Sequence, residues 1–309
     1  MNTGYRDGEK PVSAENHGKE NCRISELIRC GSGALKKNGI TDASQDAWLL
    51  LEHVSGISRS RGYAHPDLEL EPDQANEYKK LISQRAAHIP LQYLTGEAYF
   101  MGDRFVVRPG VLIPRQDTER LAEEALLCLK EFAFPKILDL CTGSGCILLS
   151  ICKERTDAAG VGVELSKKAL SAAEENKGLL GVENVRLIQG DVLRTLDYRD
   201  FMPGGADLIV SNPPYIPSEI LKSLMEEVRE HEPREALDGG ADGLDFYRHI
   251  VPGAMNCLIP GGWLLCEIGF DQGQAVADIY SEAGFADVKI LKDYGGLDRV
   301  VKGRKERNV

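Results

Sequence analysis

Apolar positions recur with a helical period in the front third of the chain, whereas the remainder alternates short apolar runs with amphipathic stretches. From Ile24 the helical spacing runs through Leu27, Ile28 and Leu35 and stops at Asn38-Gly39. Asp42 followed by Gln45 is a capping-box pattern, and Ala43, Ala47, Leu50, Leu51 and Val54 form the face of a second helix before Gly56. A third helix begins near Pro72, buries Ala75, Tyr78, Leu81, Ile82 and Ala86, and ends before Pro90. Short helices of this kind can bury their stripes only against one another, so residues 21–90 are predicted to form a small all-α bundle. Residues 1–20 are polar and charged, with too few apolar positions for a core, and a mobile tail is expected there.

Between Leu91 and Arg115 the period changes. Ala98-Tyr99-Phe100-Met101, Gly102-Asp103 and Arg104-Phe105-Val106-Val107 predict a hairpin, making residues 91–115 a β-hairpin linker. Asp117-Thr118-Glu119 then open a helix through Leu121, Ala125, Leu126 and Leu129. Strands are predicted at 136–140, 160–164, 185–189, 207–211, 262–268, 287–292 and 299–302. Helices fall between most of them, clearest at 167–179 and 272–283. Such alternation predicts a parallel sheet with helices on both faces over residues 116–309, and ligands bind at the carboxyl ends of its strands.

The 309 residues suit about two domains. Thirty-seven Lys and Arg against 48 Asp and Glu leave a net charge of -11, which disfavours a sequence-independent grip on nucleic acid. No apolar run approaches the roughly 20 residues of a membrane span, and the first ten residues lack the apolar segment of a signal peptide. The eight cysteines contain no C-x-x-C pair, so neither a metal site nor a disulfide framework is expected. A reducing cytoplasm is the expected location, with no membrane partner.

The strand ends carry the candidate chemistry. Asp139-Leu140-Cys141-Thr142-Gly143-Ser144-Gly145 closes one strand and opens a helix, and its glycines let backbone approach a ligand. The dinucleotide fingerprint would need a glycine where Leu148 stands, which disfavours a nicotinamide cofactor. Glu164 ends the next strand and can take both hydroxyls of a ribose. At the third end, Asp191 can accept from an adenine amino group while Val192 packs on the ring. The fourth strand runs into Ser211-Asn212-Pro213-Pro214-Tyr215, where the prolines rigidify the backbone and bias Asn212 toward an extended conformation.

These loops, in this order, resemble those of class I S-adenosylmethionine-dependent methyltransferases, and Asn212-Pro213-Pro214-Tyr215 resembles the tetrad of enzymes that methylate planar nitrogens. Pro90 to Glu97, Gly110 to Glu119 and Glu232 to Leu244, with the helical front, resemble the bacterial HemK/PrmC family over nearly everything after residue 20. The resemblance implies a Rossmann-like seven-stranded methyltransferase sheet and methylation of the glutamine amide nitrogen in the Gly-Gly-Gln loop of class I peptide-chain release factors. It also implies S-adenosyl-L-methionine as cofactor and S-adenosyl-L-homocysteine as product. Carried over by position, Asp139 and Cys141 to Gly145 wrap the methionine portion, Glu164 holds the ribose, and Asp191 and Val192 flank the adenine. Asn212, Pro213, Pro214 and Tyr215 hold the substrate glutamine, and Asn212 also borders the cofactor. The family more often has glycine at the place of Cys141 and aspartate at that of Glu164.

Two other readings compete. The tetrad suits any planar amino group, so a nucleic-acid amino-methyltransferase is one alternative, against which the acidic balance argues. The other is a non-catalytic cofactor-binding or scaffold protein. On the leading reading the partner is a release factor, with no direct nucleic-acid contact and a monomeric enzyme, and the front bundle is either a packing domain or a recognition arm. Arg115, Asp117 and Glu119 read as helix caps and ion pairs at the domain junction. Glu267 reads as a residue that fixes a neighbouring loop, and the Phe100 hairpin and the segment around 232–243 read as covers that exclude water.

Overall fold

The computed structural model describes residues 22–195 and 197–307, so the tail expected at 1–20 lies outside the described residues. The chain folds as two compact units that divide between Ala87 and His88. The front unit pairs a two-residue strand β1 (Cys22–Arg23) with β2 (Glu69–Leu70) around helices α1 (Ile24–Lys37), α2 (Ala43–Ser55), α3 (Arg59–Ala64) and α4 (Pro72–Ala86). Leu27, Leu35, Leu50, Leu51, Tyr78 and Ile82 are buried, as the helical spacing requires. The capping box is not made: Asp42 has φ -95° and ψ 35°, away from the extended conformation that turns a cap side chain onto the first helical N–H groups, and it makes no capping bond. The short helix α3, capped by Ser58, escapes the periodicity because its six residues offer no repeat.

The second unit begins with α5 (Leu91–Thr95) and the hairpin of β3 (Glu97–Phe100) and β4 (Asp103–Val106). The strands sit one residue earlier than the apolar runs suggest, so Met101-Gly102 forms the turn instead of Gly102-Asp103. Both turn residues have positive φ, 51° and 80°, which is the conformation that matches the twist of paired strands. Then follow α6 (Glu119–Cys128), β5 (Lys136–Leu140), α7 (Cys146–Glu154), β6 (Ala159–Glu164), α8 (Lys167–Leu180), β7 (Val185–Gln189) and β8 (Ala206–Ser211). The chain continues through α9 (Glu226–His231), α10 (Asp245–Cys257), β9 (Leu258–Glu267), α11 (Gly273–Glu282), β10 (Ala286–Lys292) and β11 (Asp298–Arg304). Helix α10 escapes the sequence pattern because Pro252 lies inside it, where a proline ordinarily ends a helix.

The seven strands form one sheet in the order β10-β11-β9-β8-β5-β6-β7. It is parallel except for β11, which runs antiparallel to both neighbours because a short turn, with no crossover helix, joins it to β10. Alternating residues feed two cores. Leu138, Leu140, Ile209 and Leu264 face one side with Tyr247, Ile250 and Val276 of α10 and α11. Ile137, Leu208, Val210 and Leu265 face the other with Leu121 and Ala125 of α6 and Phe100 and Phe105 of the hairpin. Among the described residues no helix is long and apolar enough to cross a membrane.

Asn176 of α8 is fully buried and joins three segments. Its Oδ1 accepts from Val106 N at 2.6 Å, and its Nδ2 donates to Val106 O at 3.2 Å and to Ser144 O at 3.0 Å. Asn176→Ala leaves those backbone groups unpaired, and the expected cost is about 3 kcal/mol, read as a lower midpoint of urea unfolding. An unchanged midpoint would show that the hairpin and glycine loop are held by other means.

Candidate active site

Strand β5 lies between β6 and β8, so the chain leaves the sheet in opposite directions on either side of it, and a crevice opens at the carboxyl ends. The cavity there has about 820 Å³ of space counted to its open mouth. Cys141 and Gly143 line it after β5, Val163 to Ser166 at the end of β6, Gly190 to Leu193 after β7, and Asn212 and Pro214 after β8. Gly110 and Leu112 from the segment after the hairpin, Pro233, Glu235 and Ala236 from the loop before α10, and Phe246 complete the wall.

The loop after β5 is built from within. Buried Asp139 accepts a hydrogen bond from the Thr142 hydroxyl, Thr142 N donates to Val163 O at 3.0 Å, and Gly145 N donates to Thr142 O at 2.8 Å. Asp139, Thr142, Ser144 and Gly145 therefore shape the loop without lining the cavity, while Cys141 and Gly143 face it. Gly143 has φ +58° and nothing within 4 Å of where a Cβ would stand, so its backbone is open to a ligand. Cys141 also adopts a left-handed conformation, φ 63°, which disfavours any side chain and explains why glycine suits this place. Burial pushes its thiol well above the ordinary value.

Glu164 reaches back across the loop. Its Oε2 accepts from Gly143 N at 2.9 Å and its Oε1 from Ser166 N at 2.8 Å, and the carboxylate stands at the cavity wall. Burial raises its pKa. Asp191 accepts from Leu193 N at 3.0 Å and pairs with Arg194 at 3.2 Å, and beside it Val192 is buried against the wall.

Of the tetrad, Asn212 and Pro214 line the cavity, whereas Pro213 and Tyr215 do not. Asn212 Nδ2 donates to Thr118 Oγ1 at 3.3 Å, and among the described residues its Oδ1 has no hydrogen-bond donor. Tyr215 Oη donates to Glu267 Oε1 at 3.3 Å, and the Tyr215 carbonyl accepts from Gln272 Nε2 at 2.9 Å. Beyond the tetrad the backbone zips to the cover segment: Ile216 N donates to Leu237 O and Gly239 N to Ile216 O, both at 2.9 Å. Gly243 has φ +77°, and a Cβ there would stand 2.3 Å from the Tyr215 carbonyl oxygen, so only glycine lets the cover close on the tetrad.

Several expected roles change. Phe100 packs edge-on against Phe105 in the core, with centroids 6.2 Å apart, so the hairpin does not cover the cavity and the segment at Gly110 and Leu112 does. Arg115 pairs with buried Glu232, tying the segment before α6 to the cover. Asp117 pairs with Arg299 at 3.3 Å, and Glu119 accepts from Met101 N at 2.7 Å. Thr118, Gln272 and Phe246 were not legible as site residues, because their neighbours in space come from strands and loops far off in sequence.

Comparison with known proteins gives two matching family models: the PrmC N-terminal domain over residues 26–96 and a methyltransferase domain over residues 135–237. The release factor glutamine methyltransferase of Geobacter sulfurreducens is 44% identical over 281 residues, covering 91% of this chain and 96% of its own. That of Caulobacter vibrioides is 40% identical over 272 residues, 88% of this chain and 92% of its own. Among solved structures, a methyltransferase from Pyrococcus furiosus superposes with a TM-score of 0.50 at 19% identity over 72% of this chain and 99% of its own, a likeness of fold.

Burial pushes the Asp139 carboxyl up from 3.8 to about 7, against the Thr142 hydrogen bond, which lowers it. Between those values the folded chain holds a proton that the unfolded chain has released, so this group's ionisation takes stability away as pH rises toward 7. Asp139→Asn removes that titration. Relative to the unsubstituted protein, the variant should gain about 2–3 kcal/mol of stability between pH 5 and pH 8, measured by urea unfolding at each pH. A constant difference across that range would contradict the raised value.

Proposed function

The chain belongs to the release factor glutamine methyltransferase family, and we propose that this cavity serves methyl transfer from S-adenosylmethionine to a glutamine side-chain amide nitrogen of a peptide-chain release factor. The wall has the chemistry the cofactor needs. Cys141 and the bare backbone of Gly143 border the methionine portion, Glu164 offers carboxylate lone pairs to a ribose diol, and Val192, Asp191 and Phe246 surround the adenine. Asp139, Thr142, Ser144 and Gly145 act on the cofactor indirectly, by holding that backbone in place. When bound, the cofactor supplies a methyl group activated on a sulfonium sulfur.

An amide nitrogen is a poor nucleophile because its lone pair is delocalised into the carbonyl. Asn212 Oδ1 and the Pro213 carbonyl accept its two hydrogens and aim the nitrogen at the methyl carbon. With the cofactor bound, the nitrogen–carbon bond would form as the carbon–sulfur bond broke, leaving the electron pair on sulfur as S-adenosylhomocysteine, and the nitrogen would lose its proton to solvent. Pro214 confines the planar amide, and Tyr215, held on Glu267 outside the cavity wall, fixes the end of the tetrad. The observation that carries this reading is the Asn212 amide, whose N–H₂ end is engaged by Thr118 while its acceptor end, beside the cavity, has no donor among the described residues.

On the same reading the substrate is the Gly-Gly-Gln glutamine of class I release factors, and the front unit is a recognition arm for that protein. The match of residues 26–96 to the family's N-terminal domain supports the latter. The enzyme works as a cytoplasmic monomer.

Incubation with labelled S-adenosylmethionine and either release factor or nucleic acid, with the label located by peptide mass spectrometry, tests the assignment. Label on the glutamine amide is expected, and label confined to nucleic acid would refute it. Asn212→Ala should lower kcat by about 10²–10³-fold, with S-adenosylhomocysteine affinity changed by no more than about threefold. Near-normal turnover by that variant would sink the role given to Asn212.

A further inference from the structure

Gln272 stands between β9 and α11, and its main chain is fixed on both sides: its N–H donates to Gly269 O at 2.9 Å and its carbonyl accepts from Val276 N at 3.0 Å. It is buried, and its side-chain amide is used at both ends. Oε1 accepts from Gly269 N at 2.9 Å, and Nε2 donates to the Tyr215 carbonyl at 2.9 Å and to the Gly243 carbonyl at 3.3 Å. Two N–H groups meet two carbonyls and the oxygen meets an N–H, so the reversed amide would set like against like at all three contacts. One buried side chain thus joins the loop after β9, the last residue of the tetrad and the end of the cover.

The tetrad is a span held at two ends. Ser211, before it, pairs with Leu140 and Cys266 of the neighbouring strands, and its hydroxyl donates to Leu140 O at 2.7 Å. Tyr215, its last residue, is tied through its carbonyl to Gln272 and through its hydroxyl to Glu267 at 3.3 Å. Between these anchors the chain has few soft torsions: Pro213 and Pro214 have fixed φ, and Asn212 and Pro213 each precede a proline, which restricts their ψ. A shift of the Tyr215 carbonyl is therefore carried back along the backbone to Pro213 and Asn212, because little of it can be absorbed on the way. We propose that Gln272 is a positioning residue for methyl transfer, which fixes the carboxyl end of the tetrad and with it the two acceptors that aim the substrate nitrogen.

The junction has no slack. A Cβ at Gly243 would stand 2.6 Å from Gln272 Nε2 as well as 2.3 Å from the Tyr215 carbonyl oxygen, so cover, glutamine and tetrad close in direct contact. Tyr215, Gly243, Gly269 and Gln272 stand off the cavity wall, whereas Asn212 and Pro214 are on it. The cover residues on that wall, Pro233, Glu235 and Ala236, lie at the other end of the cover, beside the Glu232 that pairs with Arg115. Opening the junction therefore moves the acceptors and leaves the wall given to the cofactor in place.

The inference rests on the methyl-transfer reading and is tested on the full chain with release factor as substrate. Gln272→Met, which keeps the length of the side chain and loses its three hydrogen bonds, should lower kcat by about 10–100-fold, with KM for the release factor and S-adenosylhomocysteine affinity within about threefold. Gly243→Ala, which forces the same junction apart from the cover side, should give the same split. The Asn212 side-chain amide resonances should shift in both variants. The double variant should lose less than about threefold more than the weaker single variant, because both substitutions open one joint. Near-normal kcat in Gln272→Met, multiplicative losses in the double variant, or equal losses of kcat and of S-adenosylhomocysteine affinity would each overturn the proposal. Failure of the unsubstituted protein to methylate the release factor would instead overturn the functional reading on which it depends.

Discussion

Parallel pairing of β5 with β6 on one edge and β8 on the other is the constraint on which the site depends. Three strands that run the same way must end on the same side, and hydrogen-bond register decides which residues meet there. Leu140 pairs with Val163 and with Ser211, so Cys141, Glu164 and Asn212 leave the sheet at one level. The Ser211 hydroxyl donates to the Leu140 carbonyl at 2.7 Å, which ties the strand carrying the tetrad to the strand carrying the glycine loop. A slip of one residue would turn Asn212 to the other face of the sheet.

Around that rim the loops are held by buried carboxylates. Asp139 holds its own turn through Thr142, Glu164 holds Gly143 and the start of α8, Glu232 holds the cover through Arg115, and Glu267 holds Tyr215. Burial raises the pKa of all four. Among the described residues Asp139, Glu232 and Glu267 each keep one buried oxygen without a hydrogen-bond partner. Such groups cost stability, and loops that must hold backbone and amide groups at fixed positions are where that cost is tolerated. Glu164, Asp191 and Asn212 combine such structural bonding with a place on the cavity wall. The same side chains that build the loops therefore present acceptors to a ligand.

Much of this was legible in the chain because it depends on local rules. Period two against 3.6 separates the strands of the sheet from the front helices, and apolar runs ending at Gly or Asn-Pro mark the strand ends where ligands bind. Cys141 to Gly145, Glu164, Asp191 to Val192 and Asn212 to Tyr215 all fall at such ends. The hairpin turn shifted by one residue because Met101 accepts a positive φ that its side chain does not advertise. Helix α10 was hidden by Pro252, and β11 reverses because the chain between 292 and 298 is too short for a crossover.

What the sequence determined by itself, then, is the list of strand ends and the side chains each one carries, since these follow from neighbours in the chain. Membership in a methylating family also rests on motifs readable in order. The tertiary structure decided which of those side chains face the cavity, and that Arg115 meets Glu232 across 117 residues. It also decided that Asn212 meets Thr118, from a segment 94 residues earlier, and that Tyr215 meets Glu267. Hydrogen bonds of that range depend on sheet register and loop closure, which no local pattern encodes.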